Sequence, residues 1–137
     1  MYIYAVSNAE LPKRLAISRH FRACDSVVAN DTNAYVTLHS NAASGGAVNE
    51  LKTYNIEDIE NPILLNTRDL TQSKELSLYG DNYLLVCDDT VKVFDVSDPS
   101  DSKYIDKIST QNAINIIIKN NHAFIKSELI INQILIR

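Results

Sequence analysis

Val91-Lys92-Val93-Phe94-Asp95-Val96-Ser97-Asp98-Pro99 stands forty residues after Leu51-Lys52-Thr53-Tyr54-Asn55-Ile56-Glu57-Asp58-Ile59, and the two stretches share one pattern. Laid over residues 91–130 without a gap, residues 51–90 put Lys52 on Lys92, Tyr54 on Phe94, Ile56 on Val96, Asp58 on Asp98, Leu65 on Ile105 and Leu85 on Ile125. A period of this length marks a stacked or circular array of one supersecondary unit, in which each copy buries its faces on its neighbours.

Within the unit the signals are those of antiparallel strands. Leu76-Ser77-Leu78-Tyr79 reads as a strand, Gly80-Asp81-Asn82 as a tight turn and Tyr83-Leu84-Leu85-Val86-Cys87 as the returning strand. Asp88-Asp89-Thr90 turns into Val91-Lys92-Val93-Phe94-Asp95-Val96, whose two faces are both partly apolar, as sheets packed on both sides require. Asp98-Pro99 supplies a type I turn: the Asp carboxylate accepts backbone N–H groups and Pro presets φ. Lys103-Tyr104-Ile105-Asp106-Lys107-Ile108 then reads as an outermost strand with charges suited to a solvated edge.

Extending the unit in both directions predicts thirteen strands grouped two, four, four and three, with no segment reading as a helix. The divisions fall at 1–19 (half a unit), 20–72 (a whole unit with an insertion at 40–48), 73–112 (a whole unit) and 113–137 (an incomplete unit). Tyr4 lines up with Tyr54 and Phe94, and Pro12 matches Pro62 at the same offset. The step from Tyr4 to Tyr54 is 50 residues, and its excess lies mostly in Ser40-Asn41-Ala42-Ala43-Ser44-Gly45-Gly46-Ala47-Val48, a run of small residues that reads as a mobile loop.

Composition narrows the function classes. The chain has 137 residues, 45% hydrophobic and 22% charged, the balance of one small globular domain. A net charge of −4 with scattered basic residues argues against a nucleic-acid partner, which demands a clustered excess of Lys and Arg. The densest basic group, Lys13, Arg14, Arg19 and Arg22, reads as a solvated strand face. Cys24 and Cys87 form no CxxC pair and have no His at zinc spacing; Cys87 reads as a buried hydrophobe, with a disulfide to Cys24 as the alternative. Met1-Tyr2-Ile3-Tyr4 opens in strand-like residues without an export signal, and the longest nearly apolar stretch, residues 129–136, is too short and broken to span a bilayer.

An aromatic-centred strand, then Asp-Val-Ser-Asp-Pro, then a charged strand, repeated near every 40 residues, resembles the LVIVD-repeat family of β-propellers. The resemblance is closest at residues 91–99, weaker at 51–62 and faint at Tyr4-Ala5-Val6-Ser7-Asn8, and it extends over residues 4–126. It implies an all-β fold of four-stranded antiparallel blades, a bacterial origin, and an extracytoplasmic or cell-envelope place for a parent protein. It implies no catalytic residue set. After Phe124 the Asp-Val-Ser-Asp-Pro element reads as replaced by residues 128–137, which lack its turn chemistry.

A closed propeller takes about four to eight blades, so thirteen strands leave two blade faces bare. The apolar runs at 113–118 and 129–136 are expected to seek a partner. Three arrangements satisfy this count: part of a longer propeller, a half-propeller that self-associates into a ring, or an open solenoid-like stack. A protein partner, further blades or self-association is therefore expected, with no membrane span.

His20, Arg22 and Asp25 are the candidate binding residues, beside Cys24, because they precede the innermost strand of the first whole unit, where propeller sites line the channel. They support either a small-ligand or hydrolytic site, or a polar connector in which Asp25 caps the strand start. Asp95, Asp98 and Asp101 do not reproduce a calcium loop, and turn capping explains them because Asn8, Asp58 and Asp98 recur at one offset. No metal ligand set, cofactor motif or catalytic motif is found. The expected function is a non-catalytic interaction or scaffold module, with the His20–Asp25 site as the rival reading.

Overall fold

The computed structural model describes residues 2–17, 24–39, 48–110, 112–128 and 130–136, with Cys24 and Asp25 traced by backbone alone. Among the described residues the chain is all-β, with thirteen strands and no helix. β1 (Tyr2–Ala5) and β2 (Lys13–Ile17) make a two-stranded sheet. The second sheet is β3 (Cys24–Ala29), β4 (Asn33–His39), β5 (Asn49–Asn55) and β6 (Ile63–Asp69). The third is β7 (Leu76–Tyr79), β8 (Tyr83–Cys87), β9 (Val91–Asp95) and β10 (Lys103–Ile108), and the fourth is β11 (Asn115–Lys119), β12 (His122–Lys126) and β13 (Ile131–Leu135). Within each sheet consecutive strands pair antiparallel, in the grouping two, four, four and three expected from the repeat. The sheets do not close into a ring: the second meets the third where β3 approaches β7, and the third meets the fourth where β11 approaches β7 and β8.

The repeat is visible in backbone detail. In each of the first three sheets the last strand carries a bulge at the same place, skipping Leu15, Leu65 and Ile105 respectively. The turn before that strand is also shared. The side chains of Asn8, Asp58 and Asp98 accept the N–H two residues on, at 3.0, 3.1 and 3.0 Å, and the carbonyl oxygen of each accepts the N–H three residues on. Hydrogen bonds from Ser100 and from Asn61 hold the Asp98 and Asp58 carboxyls below the usual carboxylate range. These oxygens are engaged by their own turns, which is the capping role expected of them.

Alternation along the strands assigns each face to a neighbour. In the second sheet Tyr35 and Leu51 face the third, whose Leu76, Leu84, Val86, Phe94 and Val96 complete one core. On the opposite face of the third sheet Leu85, Cys87 and Val91 join Ala113, Ile116, Ala123 and Ile125 in a second core, with Ile118, Ile134 and Ile136 packed against it. Ala34, Val36, Leu38 and Tyr54 form a third cluster on the far face of the second sheet, with Val48 and Ile56 against it.

One element of the sequence alignment is corrected by this geometry. Leu76 and Leu78 correspond to Ile116 and Ile118, forty residues on, and Phe94 corresponds to Ile134. Between them the step is 39: Leu84 and Val86 face the preceding sheet as Ala123 and Ile125 do, so Ile125 matches Val86 and not Leu85. The β7–β8 turn has three residues, Gly80 to Asn82, whereas β11 and β12 are joined by Asn120 and Asn121 alone, both left-handed at φ 50° and 60°. A one-residue slip exchanges the two faces of a strand. The turn before β13 is one residue longer than that before β9, which restores the forty-residue step. Residues 131–135 therefore occupy the position of β9, and Leu135 and Ile136 stand where Asp95 and Val96 stand in the third sheet.

The crossover from the second sheet to the third is pinned by buried polar groups. Ser73 Oγ donates to Leu38 O at 2.6 Å, and Thr37 Oγ1 donates to Lys74 O at 2.5 Å. Lys74 N and Cys87 N make backbone bonds that extend the β7–β8 ladder by two residues. Asp88, fully buried, accepts the N–H of Thr71 at 2.9 Å, the N–H of Gln72 and the Lys92 ammonium. Partners of this kind offset the free-energy cost of burying polar groups. Among the described residues, the buried hydroxyls of Tyr35 and Thr53, cross-strand neighbours, have no hydrogen-bond partner. Asp88→Ala strands two backbone donors and weakens the hold on Lys92. It is expected to cost about 2–4 kcal/mol, read as a lower urea midpoint at unchanged slope.

Candidate interaction surface

Of the residues singled out for a ligand site, His20 and Arg22 lie outside the described residues, as does the loop at 40–47. The backbone of Asp25 lies inside β3, opposite Leu38, one residue after the strand begins at Cys24. Cys87 is a free, buried thiol, so the alternative of a disulfide to Cys24 falls away. His39 Nδ1 lies 2.7 Å from Asn49 Oδ1 and His122 Nδ1 lies 2.8 Å from Asn120 O, structural bonds within a strand pair and a turn. Among the described residues no group of three or more His, Cys, Asp or Glu is placed to hold a metal ion. No helix of these residues is long and apolar enough to cross a membrane.

Two clefts follow the joints between sheets. The first, about 500 Å³, opens between the second and third sheets at Thr67, Arg68, Lys92, Phe94 and Tyr104. Its cations are already committed. Arg68 Nε donates to Ser102 Oγ at 2.9 Å and Arg68 Nη2 to Asp101 Oδ1 at 3.0 Å, while Asn66 Nδ2 donates to Ser100 O at 2.7 Å. The last strand of one sheet thus clamps the turn of the next. Desolvation works against the charge on Lys92, but bonds to Asp88 and Asp89 outweigh it and hold its pKa above the ordinary lysine value. The second cleft, about 550 Å³, lies between the third and fourth sheets and is mostly apolar, lined by Leu85, Val93, Ile105, Ile108, Ile134 and Ile136 among others. It runs beside β13, the edge of a sheet that has three strands among the described residues where its two predecessors have four.

The outer face of the fourth sheet is an uncovered apolar surface. The register places Ile117 opposite Phe124 and Phe124 opposite Gln133, with Ile131 and Leu135 on the same face two residues to either side. Ile117 is 61% exposed, Phe124 37%, Ile131 72% and Leu135 47%, whereas Ile116, Ala123 and Ile125 on the reverse face are buried. Lys119, Lys126 and His122 border the patch on this same face, and the His122 ring lies 6.5 Å from that of Phe124. The apolar runs read from sequence are thus split by the pleat. Ile118, Ile134 and Ile136 turn inward to the core, while Ile117, Ile130, Ile131 and Leu135 are exposed.

No protein-family model matches the chain, and no curated protein matches it.

The surroundings of Cys87 remove it from a reactive role. Burial, reinforced by the negative charge of Glu75, pushes its thiol up to about 12. An unfolded thiol ionises near pH 8.5. The folded state keeps the proton, so Cys87 contributes stability that is full below that pH and is lost as pH rises toward the folded value. A Cys24→Ser variant is expected to show no reaction with a thiol reagent at neutral pH until denaturant is added; prompt native reaction contradicts this burial.

Proposed function

We propose that the chain is a run of propeller-type blades, resembling LVIVD repeats, which acts as a non-catalytic interaction or scaffold module through the outer face of its fourth sheet. The observation that carries this reading is the contrast between the two faces of that sheet. One is packed into a core, and the other presents four large apolar side chains in a contiguous patch bordered by Lys119, Lys126 and His122. Patches of this kind on a rigid sheet mark protein contact surfaces, because leaving them in water forfeits about 25 cal/mol per Å² that burial supplies.

The repeat supports the same reading. Phe124 and Ile131 stand at the positions of Leu85 and Val91, both buried where the third sheet receives the fourth. The fourth sheet therefore carries the chemistry of a receiving face. Its natural ligand is another β-sheet with an aromatic or aliphatic centre, and the blades hold that face flat and fixed.

The test replaces Ile117 and Phe124 by Lys together. Both side chains are exposed, so the variant is expected to keep the wild-type circular dichroism and urea midpoint while losing binding of a hydrophobic dye such as bis-ANS. Dye binding that is equal in variant and wild type, or absent from both, removes the basis for a docking face there.

A further inference from the structure

We infer that the fourth sheet's outer face is built to receive the β1–β2 hairpin of a second copy of this chain, so that molecules associate head to tail. The inference rests on the reading of the sheets as successive units of one array.

A single position recurs in every unit. Tyr4, Tyr54, Phe94 and Ile134 are equivalent, and the shared bulges at Leu15, Leu65 and Ile105 identify β1–β2 as the outer half of the same unit. Phe94 packs in a core with Tyr35 and Leu51 of the preceding sheet, and Ile134 packs against a core that holds Leu85 and Val91 of the preceding sheet. The side of a unit that bears this position is thus the side that seats on the unit before it. On β1–β2 that side carries Tyr2, Tyr4 and Ile17, placed together by the pairing of Tyr2 with Ile17 and Tyr4 with Arg14. All three are open to solvent, at 61%, 48% and 45%, while Ala16 on the reverse side is buried.

The receiving positions recur as faithfully. Tyr35, Leu85 and Phe124 are equivalent across the second, third and fourth sheets, as are Leu51, Val91 and Ile131. The first two members of each set are buried against the unit that follows, and the third member is exposed. One end of the array therefore offers an unfilled seat and the other an unseated unit of the same chemistry. This complementarity joins opposite ends, which is a heterologous contact that propagates to a ring or an open string.

Charge disfavours the competing arrangement. Two fourth sheets stacked face to face would bring Lys119 and Lys126 of both copies together, while the hairpin face brings only Arg14. Size sets the strength. A face three strands wide and five residues long measures about 14 Å by 16 Å, well short of the roughly 800 Å² per partner of a standard interface. Association is accordingly weak and rises with concentration.

Sedimentation velocity on three proteins tests this: the wild type, Tyr4→Lys, and the double variant Ile117→Lys with Phe124→Lys. Tyr2→Lys on the same hairpin face replaces Tyr4→Lys if the latter loses its β-sheet spectrum. The wild type is expected to gain mass with concentration and each variant alone to stay monomeric. An equimolar mixture of the two variants is expected to form a species of twice the monomer mass and nothing larger, since each supplies the one face the other lacks. Self-association of Tyr4→Lys at the wild-type level overturns the proposal in favour of face-to-face pairing. A wild type that stays monomeric but still binds dye through Ile117 and Phe124 overturns the second-copy assignment and leaves the docking face standing. A monomer without dye binding overturns both.

Discussion

Burial of β8 on both of its faces is the constraint on which the rest of the structure depends. Leu84, Leu85, Val86 and Cys87 are consecutive, none is more than 2% exposed, and alternate members point to opposite sheets. A strand with this pattern cannot be satisfied by one sheet and solvent, because its four apolar side chains each gain about 1.5–3 kcal/mol only when both faces are covered. The second and fourth sheets are there to cover it. The third sheet is the centre of the molecule, and order is transmitted outward from it.

The polar structure serves the same end. Where the chain leaves the second sheet and enters the third, Thr37, Ser73 and Asp88 take up the backbone groups that the crossover would otherwise bury unpaired. At the outer rim Asn66 and Arg68 hold the turn at residues 98–102, so the joint between the second and third sheets is closed at both ends, by the crossover and by the clamp. At the corresponding places in the third sheet's last strand stand Asp106 and Ile108, which make no such bond to the fourth sheet among the described residues and instead line the apolar cleft beside β13. The joint between the third and fourth sheets is therefore held by side-chain packing.

Strand order was legible because the turn chemistry is explicit: Asp-Pro, Gly-Asp-Asn and paired Asp residues punctuate runs of Val, Ile, Tyr and Leu. The bulges at Leu15, Leu65 and Ile105 were not, since a bulge leaves the spacing of aligned residues intact and changes only which face each residue takes. The slip at β12 was hidden for a related reason. An ungapped alignment holds across a turn that loses one residue if the next turn regains it, and Asn120-Asn121, a pair suited to two left-handed positions, was the signal that the first turn was shorter. That slip decides that Phe124, and not Ile125, faces outward. The apolar character of the terminal strands was plain in the sequence, but the division of Ile116, Ile117 and Ile118 between core and surface waited on the register. The cluster at His20, Arg22 and Asp25 rested on its position before the first inner strand, and of it the structure places only the Asp25 backbone.

Native-state hydrogen exchange by residue measures the central claim directly. If the doubly covered β8 organises the molecule, the ladder amides of Leu84 to Cys87 exchange only through global unfolding. Those of β1, β2 and β13, which lie in sheets with an uncovered face, open at lower free energy. Protection of the β1–β2 hairpin equal to that of β8 in the monomer, or β8 amides that open before those of β13, would contradict it.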